Sequence, residues 1–144
     1  MAKKLKTTRR SRNDSARAFA AVAARTARDN NAEEIVVLDL RGVSPVTDYF
    51  VICTGTSGRQ MATVAQEIIE AGKSLGQTAF RVAGLESPTW IVLDFVDVVV
   101  HIFDNEHRRY YDLELIWGEA SRLQWQRVRV PAAMKDQRTI GSRE

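Results

Sequence analysis

The sequence predicts an α/β or α+β domain built on a mixed, mostly five-stranded sheet with flanking helices. Apolar, β-branched runs of strand length occur at residues 35–40, 49–54 and 98–103. Segments with a helical apolar period lie beside them and end near residues 29 and 75. The chain has 144 residues, 44% hydrophobic and 27% charged, so it can bury a core of its own. The predicted order of elements is α-β-β-α-β-β-β-α.

The N-terminal part divides into a basic arm and a helix. Residues 1–12 contain lysines and arginines but no acid, and we expect a disordered arm there. Residues 13–15 offer N-cap oxygens for a helix over residues 16–29. The predicted division of the chain is a basic arm at 1–12, a folded domain at 13–118 and a partly disordered C-terminal extension at 119–144.

The next two strands, at residues 35–40 and 49–54, are nearly continuous apolar runs, which is typical of strands covered on both faces. Cys53, the single cysteine, lies in the second strand and is expected to be a buried, inert thiol. One cysteine excludes an internal disulfide and a cysteine-rich zinc site. No apolar run reaches about 20 residues and no signal-peptide pattern is present, so the sequence predicts a cytoplasmic protein.

Residues 55–60 connect the second strand to a helix that runs to about residue 75. Ser57 and Gln60 have the spacing of a capping box, so a tight, capped turn is the first interpretation. The alternative is an anion held by the free N–H groups of the helix N-terminus. The loop matches neither a P-loop nor a GxGxxG pattern.

The second half of the chain predicts a short strand at 79–82 and then a hairpin of strands at 90–95 and 98–103, joined through Val96 and Asp97. A single helix follows over residues 105–117 and ends at Gly118. Residues 119–144 show no clear period. Three residues of that extension are candidates to pack on the domain: Trp125, Val128 and Val130.

The predicted last helix carries two apolar stripes. Tyr110, Leu113 and Trp117 share one, and Tyr111 and Leu115 form the other. A helix that lies on its own sheet needs only one stripe. Two stripes indicate either burial on both sides or an exposed aromatic patch, and Tyr and Trp are frequent anchors at protein interfaces. Trp90, beside a polar loop, poses the same alternative of core residue or docking anchor.

A catalytic alternative rests on Asp94 and Asp97, which flank the hairpin turn. Clustered carboxylates can hold magnesium for phosphoryl transfer, as a nucleotidyltransferase-like enzyme would require, although Asp97 is also an ordinary turn residue. His101 and His107 are weak evidence for zinc, and His101 is expected to be a half-buried residue of the sheet face. The sequence therefore predicts no catalytic residue, no cofactor and no metal site.

Four sequence blocks resemble one family. They read DYFVICTGTS at 48–57, WIVLD at 90–94, DVVVHIF at 97–103 and RRYYDLELIWG at 108–118. Their order and spacing resemble those of the ribosomal silencing factor family, also called RsfS or Iojap-like, over about residues 14–120. The chain departs from the family pattern at Gly58 and Gln60, where Ser and His are common, at Thr89, which replaces an acid, and at Val96, which replaces a glycine. The first departure weakens a ligand role for the loop, and the last suggests a different hairpin turn.

The resemblance implies a nucleotidyltransferase-like core without established catalysis, and thus a binding protein and not an enzyme. It implies docking on the large ribosomal subunit through ribosomal protein L14. The bulk of the docked protein then blocks association of the small subunit and represses translation when nutrients are scarce. By resemblance, the hairpin and last helix form the docking surface, with these partner-binding residues: Trp90, Asp97, Val99, His101, Phe103, Arg109, Tyr110, Tyr111, Leu113 and Trp117.

Both ends of the chain are basic. The net charge is +3, of which residues 1–12 carry +6 and residues 119–144 carry +3, so −6 remains for residues 13–118. A basic arm can contact ribosomal RNA in a salt-dependent way, and a solvated tail without a partner is the alternative. We expect no membrane partner. An exposed aromatic patch would allow two free copies to pair, with a monomer on the ribosome.

Overall fold

The computed structural model describes residues 2–86 and 88–130, with the backbone alone for residues 2–13, 110 and 111. Its elements end in a 3-10 turn at Trp125–Arg127. The helices and strands are, in chain order, α1 (Ala2–Asp29), β1 (Glu33–Asp39), β2 (Tyr49–Thr54), α2 (Gly58–Ser74), β3 (Arg81–Ala83), β4 (Trp90–Asp94), β5 (Val98–Phe103), α3 (Asn105–Tyr111), α4 (Leu113–Ile116) and β6 (Ser121–Arg122). None of the helices in this part of the chain has the length and apolarity that a membrane span requires.

The strands form one mixed sheet in the order β3-β4-β5-β2-β1-β6. β2 and β5 are parallel, and the other neighbours are antiparallel. The predicted mixed sheet of the α/β or α+β class is confirmed. The sheet has six strands and not five, because β6 pairs with β1 through Leu38–Arg122 and Asp39–Ser121. A strand of two residues has too few positions to produce an alternating sequence pattern.

The first helix is longer than predicted. α1 begins at Ala2, so residues 2–12 have helical backbone where the sequence analysis predicts a disordered arm and a helix start near residue 16. Residues 2–12 contain no glycine or proline, and lysine and arginine are good helix formers, so nothing in the local sequence interrupts the helix. The N-cap predicted at residues 13–15 therefore lies inside α1.

The main core lies between one face of the sheet, called here the closed face, and the two long helices α1 and α2. Alanines on α1 allow it to approach the strands closely, and Phe19 adds a large ring that is 0% exposed. The edge of that ring contacts Phe95, with centroids 4.6 Å apart. The strands contribute fully buried aliphatic side chains: Val51, Ile91, Leu93, Val100 and Ile102.

The beginning of the predicted C-terminal extension is part of the domain. The amide of Leu123 donates to the carbonyl of Val37, and Trp125 and Val130 are buried against the core, with Val128 packed beside them. The predicted packing of these residues is confirmed. Arg25 on α1 donates to backbone carbonyls of this segment. Residues 131–144 lie outside the described residues.

Candidate functional site

The second face of the sheet, called here the open face, is the one that α1 and α2 do not cover. Strand register brings Phe50 of β2 beside Val99 of β5, and Val99 beside Asp94 of β4. Because paired residues of neighbouring strands point to the same side, these side chains form a row across the sheet. Two further rows on this face contain Ile52, His101 and Val92, and then Thr54, Phe103 and Trp90.

Aromatic rings dominate the open face. Trp90 stacks on Phe103 with centroids 5.1 Å apart. Phe50 contacts His101 edge-on at 4.6 Å and Trp117 at 5.9 Å. Ring pairs in these geometries stabilise by about 0.5–1.5 kcal/mol beyond the burial of their area. We call these five rings, Phe50, Trp90, His101, Phe103 and Trp117, the aromatic cluster.

His101 is the polar member of the aromatic cluster. It is 7% exposed, so it is more deeply buried than the half-buried position the sequence predicts. The indole N–H of Trp90 donates to its Nδ1 at 3.1 Å. Burial lowers the pKa of His101 to about 4, and the ring is therefore neutral at pH 7 with its proton on Nε2. Within the described part of the chain, that Nε2 has no hydrogen-bond partner.

The helix predicted over residues 105–117 is two helices. Asp112 has a left-handed backbone, with φ at +41°, and it ends α3 and begins α4. Its side chain accepts from the amide of Leu115 at 3.3 Å. Asp tolerates this conformation better than most residues, and it can cap the helix that follows. The prediction of one continuous helix is therefore wrong, and the break separates Tyr110 and Tyr111 from Leu113, Leu115 and Trp117. Leu113 and Trp117 both pack on the open face, whereas Leu115 is 76% exposed.

Arg108 fastens α3 and α4 to the sheet. Its guanidinium binds Glu114 of α4 through two N–H groups, at 2.8 and 3.1 Å, and donates to Thr54 Oγ1 at 2.9 Å. It also donates to the carbonyl of Glu34, a residue with φ at +49° at an irregularity of the β1–β2 pairing. Glu114 pairs in addition with Arg122 of β6. The network fixes the cover over part of the aromatic cluster.

The rest of the cluster opens into a groove of about 640 Å³. Its floor contains Phe50, Val99 and His101, and its walls include Trp117. Three rim residues are strongly exposed apolar side chains: Val46 at 81%, Phe80 at 74% and Val96 at 53%. Exposed apolar side chains gathered around one groove mark a surface that is suited to binding an apolar partner.

The residues named by resemblance occupy different positions around this groove. Val99, His101 and Trp117 line it, and Trp90, Phe103 and Leu113 lie in the same open-face cluster. Phe103 is 1% exposed, so it supports the face from beneath. Asp97 lies in the turn, where its carbonyl accepts from the amides of Asp48 and Tyr49. Arg109 is exposed on α3, and the side chains of Tyr110 and Tyr111 lie outside the described ones.

The groove rim was not found from the sequence. Val46 lies in a polar loop and Phe80 precedes a three-residue edge strand, so neither belongs to a periodic pattern. The one feature of the sequence that could indicate a rim residue is a large apolar residue isolated between turn residues, as Val46 is between Pro45 and Thr47. Val96 has φ at +76°, which is the backbone region that favours glycine. Val96 thus adopts the backbone conformation that glycine would adopt, so the replacement of glycine by valine does not require the different turn that the sequence suggests.

The structure also shows the surroundings of the side chains considered for catalysis, metal binding and thiol chemistry. The carboxylate of Asp94 accepts from the amide of Val96 at 2.8 Å, as in an ordinary turn. Among residues 2–86 and 88–130, no group of three or more His, Cys, Asp or Glu side chains is placed to hold a metal ion. Burial raises the pKa of Cys53 to about 12, which agrees with the predicted inert thiol.

The predicted capping box at the start of α2 is confirmed. Ser57 Oγ accepts from the amide of Gln60 at 3.1 Å, and Gln60 Oε1 accepts from the amide of Thr56 at 2.9 Å. Gln60 Nε2 also donates to the carbonyl of Asn30, which ties the loop to the end of α1. Two amides of the loop are thus bound by side chains, which leaves fewer donors for an anion.

Comparison with known sequences finds similarity to ribosomal silencing factors and to a related protein of mitochondria. A family model described as "Ribosomal silencing factor during starvation" matches residues 13–143. A ribosomal silencing factor RsfS of Bacillus subtilis is 40% identical over 99 residues, which cover 69% of this chain and 84% of that protein. A mouse protein named for mitochondrial assembly of the ribosomal large subunit is 31% identical over 93 residues, covering 62% of this chain and 41% of its own length.

A solved structure has a similar fold. The crystal structure of a protein from Chromobacterium violaceum superposes with a TM-score of 0.67 at 30% sequence identity. The match covers 69% of this chain and 83% of that one. The similarity of fold agrees with the sequence relationship.

Proposed function

Since the chain belongs to the ribosomal silencing factor family, we propose that its open face docks on ribosomal protein L14 of the large ribosomal subunit. The docked protein then blocks association of the small subunit and represses translation when nutrients are scarce. The observation that carries the proposal is the apolar groove, with exposed Val46, Phe80 and Val96 around an aromatic floor. The mouse relative, whose name refers to the ribosomal large subunit, supports that subunit as the partner.

A steric function needs a stable complex and bulk, and no chemical step. A specific interface buries about 1,200–2,000 Å² in total, and its energy is concentrated in a few aromatic and apolar anchors. Phe80 and Val46 project from the rim, and Trp117 presents a half-buried ring beside them. Trp90 presents a half-buried ring farther along the open face. We expect the anchors of the complex to be these four residues, with Asp97, Arg109, Tyr110 and Tyr111 as further contacts by resemblance.

His101 adds a polar requirement to this surface. Its Nε2–H is buried beneath the surface of the groove and has no partner among the described residues. A buried donor without an acceptor costs about 1–3 kcal/mol, so an acceptor supplied on docking would favour the complex. A partner oxygen can reach this buried donor only if the neighbouring side chains of the groove move on docking. Because the pKa of His101 is about 4, this donor is unchanged between about pH 5.5 and pH 8.

The experiment is sedimentation of the full chain with separated large and small subunits, followed by light scattering of subunit joining. We expect the protein to sediment with large subunits alone and to slow joining. The Phe80→Ala variant should bind about tenfold more weakly if Phe80 is an anchor. Val82→Ala is the matched control, because Val82 is 38% exposed and its strand partner Leu93 belongs to the closed face.

Binding to small subunits, or joining at an unchanged rate with the protein bound, would contradict the steric proposal. Equal affinities for the parent, Phe80→Ala and Val82→Ala would instead contradict the position of the docking surface. The enzymatic alternative through Asp94 and Asp97 has a separate test. Nucleotide with magnesium should raise the melting temperature of an enzyme of that kind through ligand linkage, and we expect no shift.

A further inference from the structure

A second surface lies on the helix-covered side of the sheet, between α1 and the C-terminal segment. It is a concavity of about 350 Å³, and Arg17, Arg127 and Arg129 contribute the cations that line it. Asp14 is the one acid among its lining residues in the described part of the chain. The fold therefore brings Arg17 of α1 beside two arginines of the basic C-terminal segment, which lie more than 100 residues away in the sequence.

The three arginines of this concavity are available for an external ligand. All three are exposed, and within residues 2–86 and 88–130 none of them forms an ion pair with a carboxylate. The neighbouring arginines have structural partners instead. Arg25 donates to the carbonyls of Trp125 and Val128, and Arg28 pairs with Asp29 and lies 5.6 Å from the centre of the Trp125 ring.

These structural contacts hold the surface in place. The bonds from Arg25 fasten the backbone of residues 125–128 to α1, and Trp125 is 7% exposed beneath them. Arg127 and Arg129 are therefore held next to Arg17 by the fold. Because the backbone that carries these arginines is already ordered, binding a ligand costs less conformational entropy than ordering a flexible tail would cost.

We propose that this surface binds the phosphate backbone of RNA. Arginine binds phosphate oxygens through two parallel N–H groups, and an array of such contacts carries affinity without reading sequence. The same helix continues through residues 2–12, where the sequence places six further lysines and arginines and no acid. A helix of 28 residues is about 42 Å long, which matches an extended polyanion better than a small anion.

The composition of α1 favours RNA over a membrane surface. A helix that binds a bilayer needs an apolar face directed at the lipid. The apolar residues of α1 between Ala16 and Ala27 are buried in the core, and residues 2–12 contain only Ala2 and Leu5 as apolar residues. The surface is also separate from the open face, because α1 packs against the closed face. RNA binding is thus expected of the isolated protein, with or without docking on ribosomal protein L14.

The test measures fluorescence anisotropy of a labelled RNA hairpin of about 20 base pairs with the full chain, between about 50 and 300 mM KCl. We compare the parent with the triple variant Arg17→Ala, Arg127→Ala, Arg129→Ala. The slope of log affinity against log salt should flatten by about two to three units, since each phosphate contact contributes roughly 0.9. Affinity at about 100 mM salt should fall about tenfold or more.

A matched triple variant, Arg59→Ala, Lys73→Ala, Arg81→Ala, removes the same charge from exposed positions elsewhere. We expect its salt slope to stay within about half a unit of the parent slope. Equal effects of the two triple variants, or an unchanged slope in the first, would overturn the proposal. So would binding of the parent to vesicles that contain phosphatidylserine together with no binding to the RNA hairpin.

Discussion

The two faces of one sheet differ in what covers them. On the closed face, α1 and α2 bury aliphatic side chains of the strands completely, among them Val51, Val100 and Ile102 at 0% exposure. On the open face, short helices cover one part, and a groove lined by rings remains. Because successive residues of a strand point to opposite faces, the same strands supply both surfaces. We infer that the closed face provides stability and that the open face provides recognition.

The helices that cover the two faces are also held to the sheet by different interactions. The long helices of the closed face are held by apolar packing over many residues, whereas α3 and α4 depend on the polar network around Arg108. Substitutions on the closed face should therefore lower the free energy of unfolding most. Substitutions in the network should loosen one segment, and truncation of the rim side chains Val46 and Phe80 should leave the stability of the fold nearly unchanged.

The largest effect is expected at Phe19. The Phe19→Ala variant should lose about 3–5 kcal/mol of unfolding free energy, because it removes a ring that is 0% exposed and leaves a cavity beside Phe95. Urea denaturation measures this directly. Phe80→Ala removes the same ring from the groove rim and should change stability by no more than about 0.5 kcal/mol. Similar losses in the two variants would contradict the division between the faces.

Arg108→Ala should come next, with a loss of about 3 kcal/mol. The variant removes a guanidinium whose side chain is 8% exposed and leaves the Glu114 carboxylate, 22% exposed, without its main partner. Hydrogen exchange should increase most at residues 113–117. The adjacent Arg109→Ala is the control, because Arg109 is exposed and should change stability by about 0.5 kcal/mol or less. Uniformly faster exchange across the sheet would show that Arg108 does not act on this segment alone.

The third prediction concerns pH. The pKa of His101 is about 4 in the fold and roughly 6.5 in the unfolded chain, so the unfolded state binds more protons between these values. The stability that neutral His101 provides is fully present above about pH 6.5 and is lost as the pH falls toward 4. Between about pH 7.5 and pH 5 the parent should lose roughly 2 kcal/mol more than His101→Phe. Parallel stability profiles of the two proteins would rule out this effect.

The fourth prediction concerns Val96. A β-branched residue at positive φ is strained, so Val96→Gly should stabilise the fold by about 1 kcal/mol. The same change removes a side chain that is 53% exposed at the groove rim and should weaken docking. The melting temperature should therefore rise while the affinity for large subunits falls. A variant that gains in both would show that Val96 is not part of the interface.

The sequence predicted those parts of the fold that repeat a pattern. The apolar runs of β2 and β5, the capping box of Ser57 and Gln60 and the end of α1 follow from local chemistry. The break between α3 and α4 at Asp112 does not follow from local chemistry. One residue with a left-handed backbone leaves the helical spacing of apolar residues in the sequence unchanged. The sequence also does not distinguish Arg108 from the adjacent Arg109, whereas the fold buries Arg108 against Glu114 and Thr54.

The candidate site was predicted where motifs carry it and missed where only tertiary packing creates it. The motif blocks led to Trp90, Val99 and His101, which lie on the open face. The rim residues Val46 and Phe80 come from a loop and the approach to an edge strand, and they meet only because the sheet order places β3 and β2 on the two sides of the β4–β5 pair. Long-range strand order of this kind has no local sequence signal.

The most direct test of recognition by the open face is the affinity of this protein for purified ribosomal protein L14. The double variant Val46→Ser, Phe80→Ser should bind at least about thirtyfold more weakly than the parent while unfolding at the same urea concentration. The matched double variant Val43→Ser, Val82→Ser, with residues 37% and 38% exposed outside the groove, should bind like the parent. Parent-like affinity of the rim variant, at unchanged stability, would contradict the account.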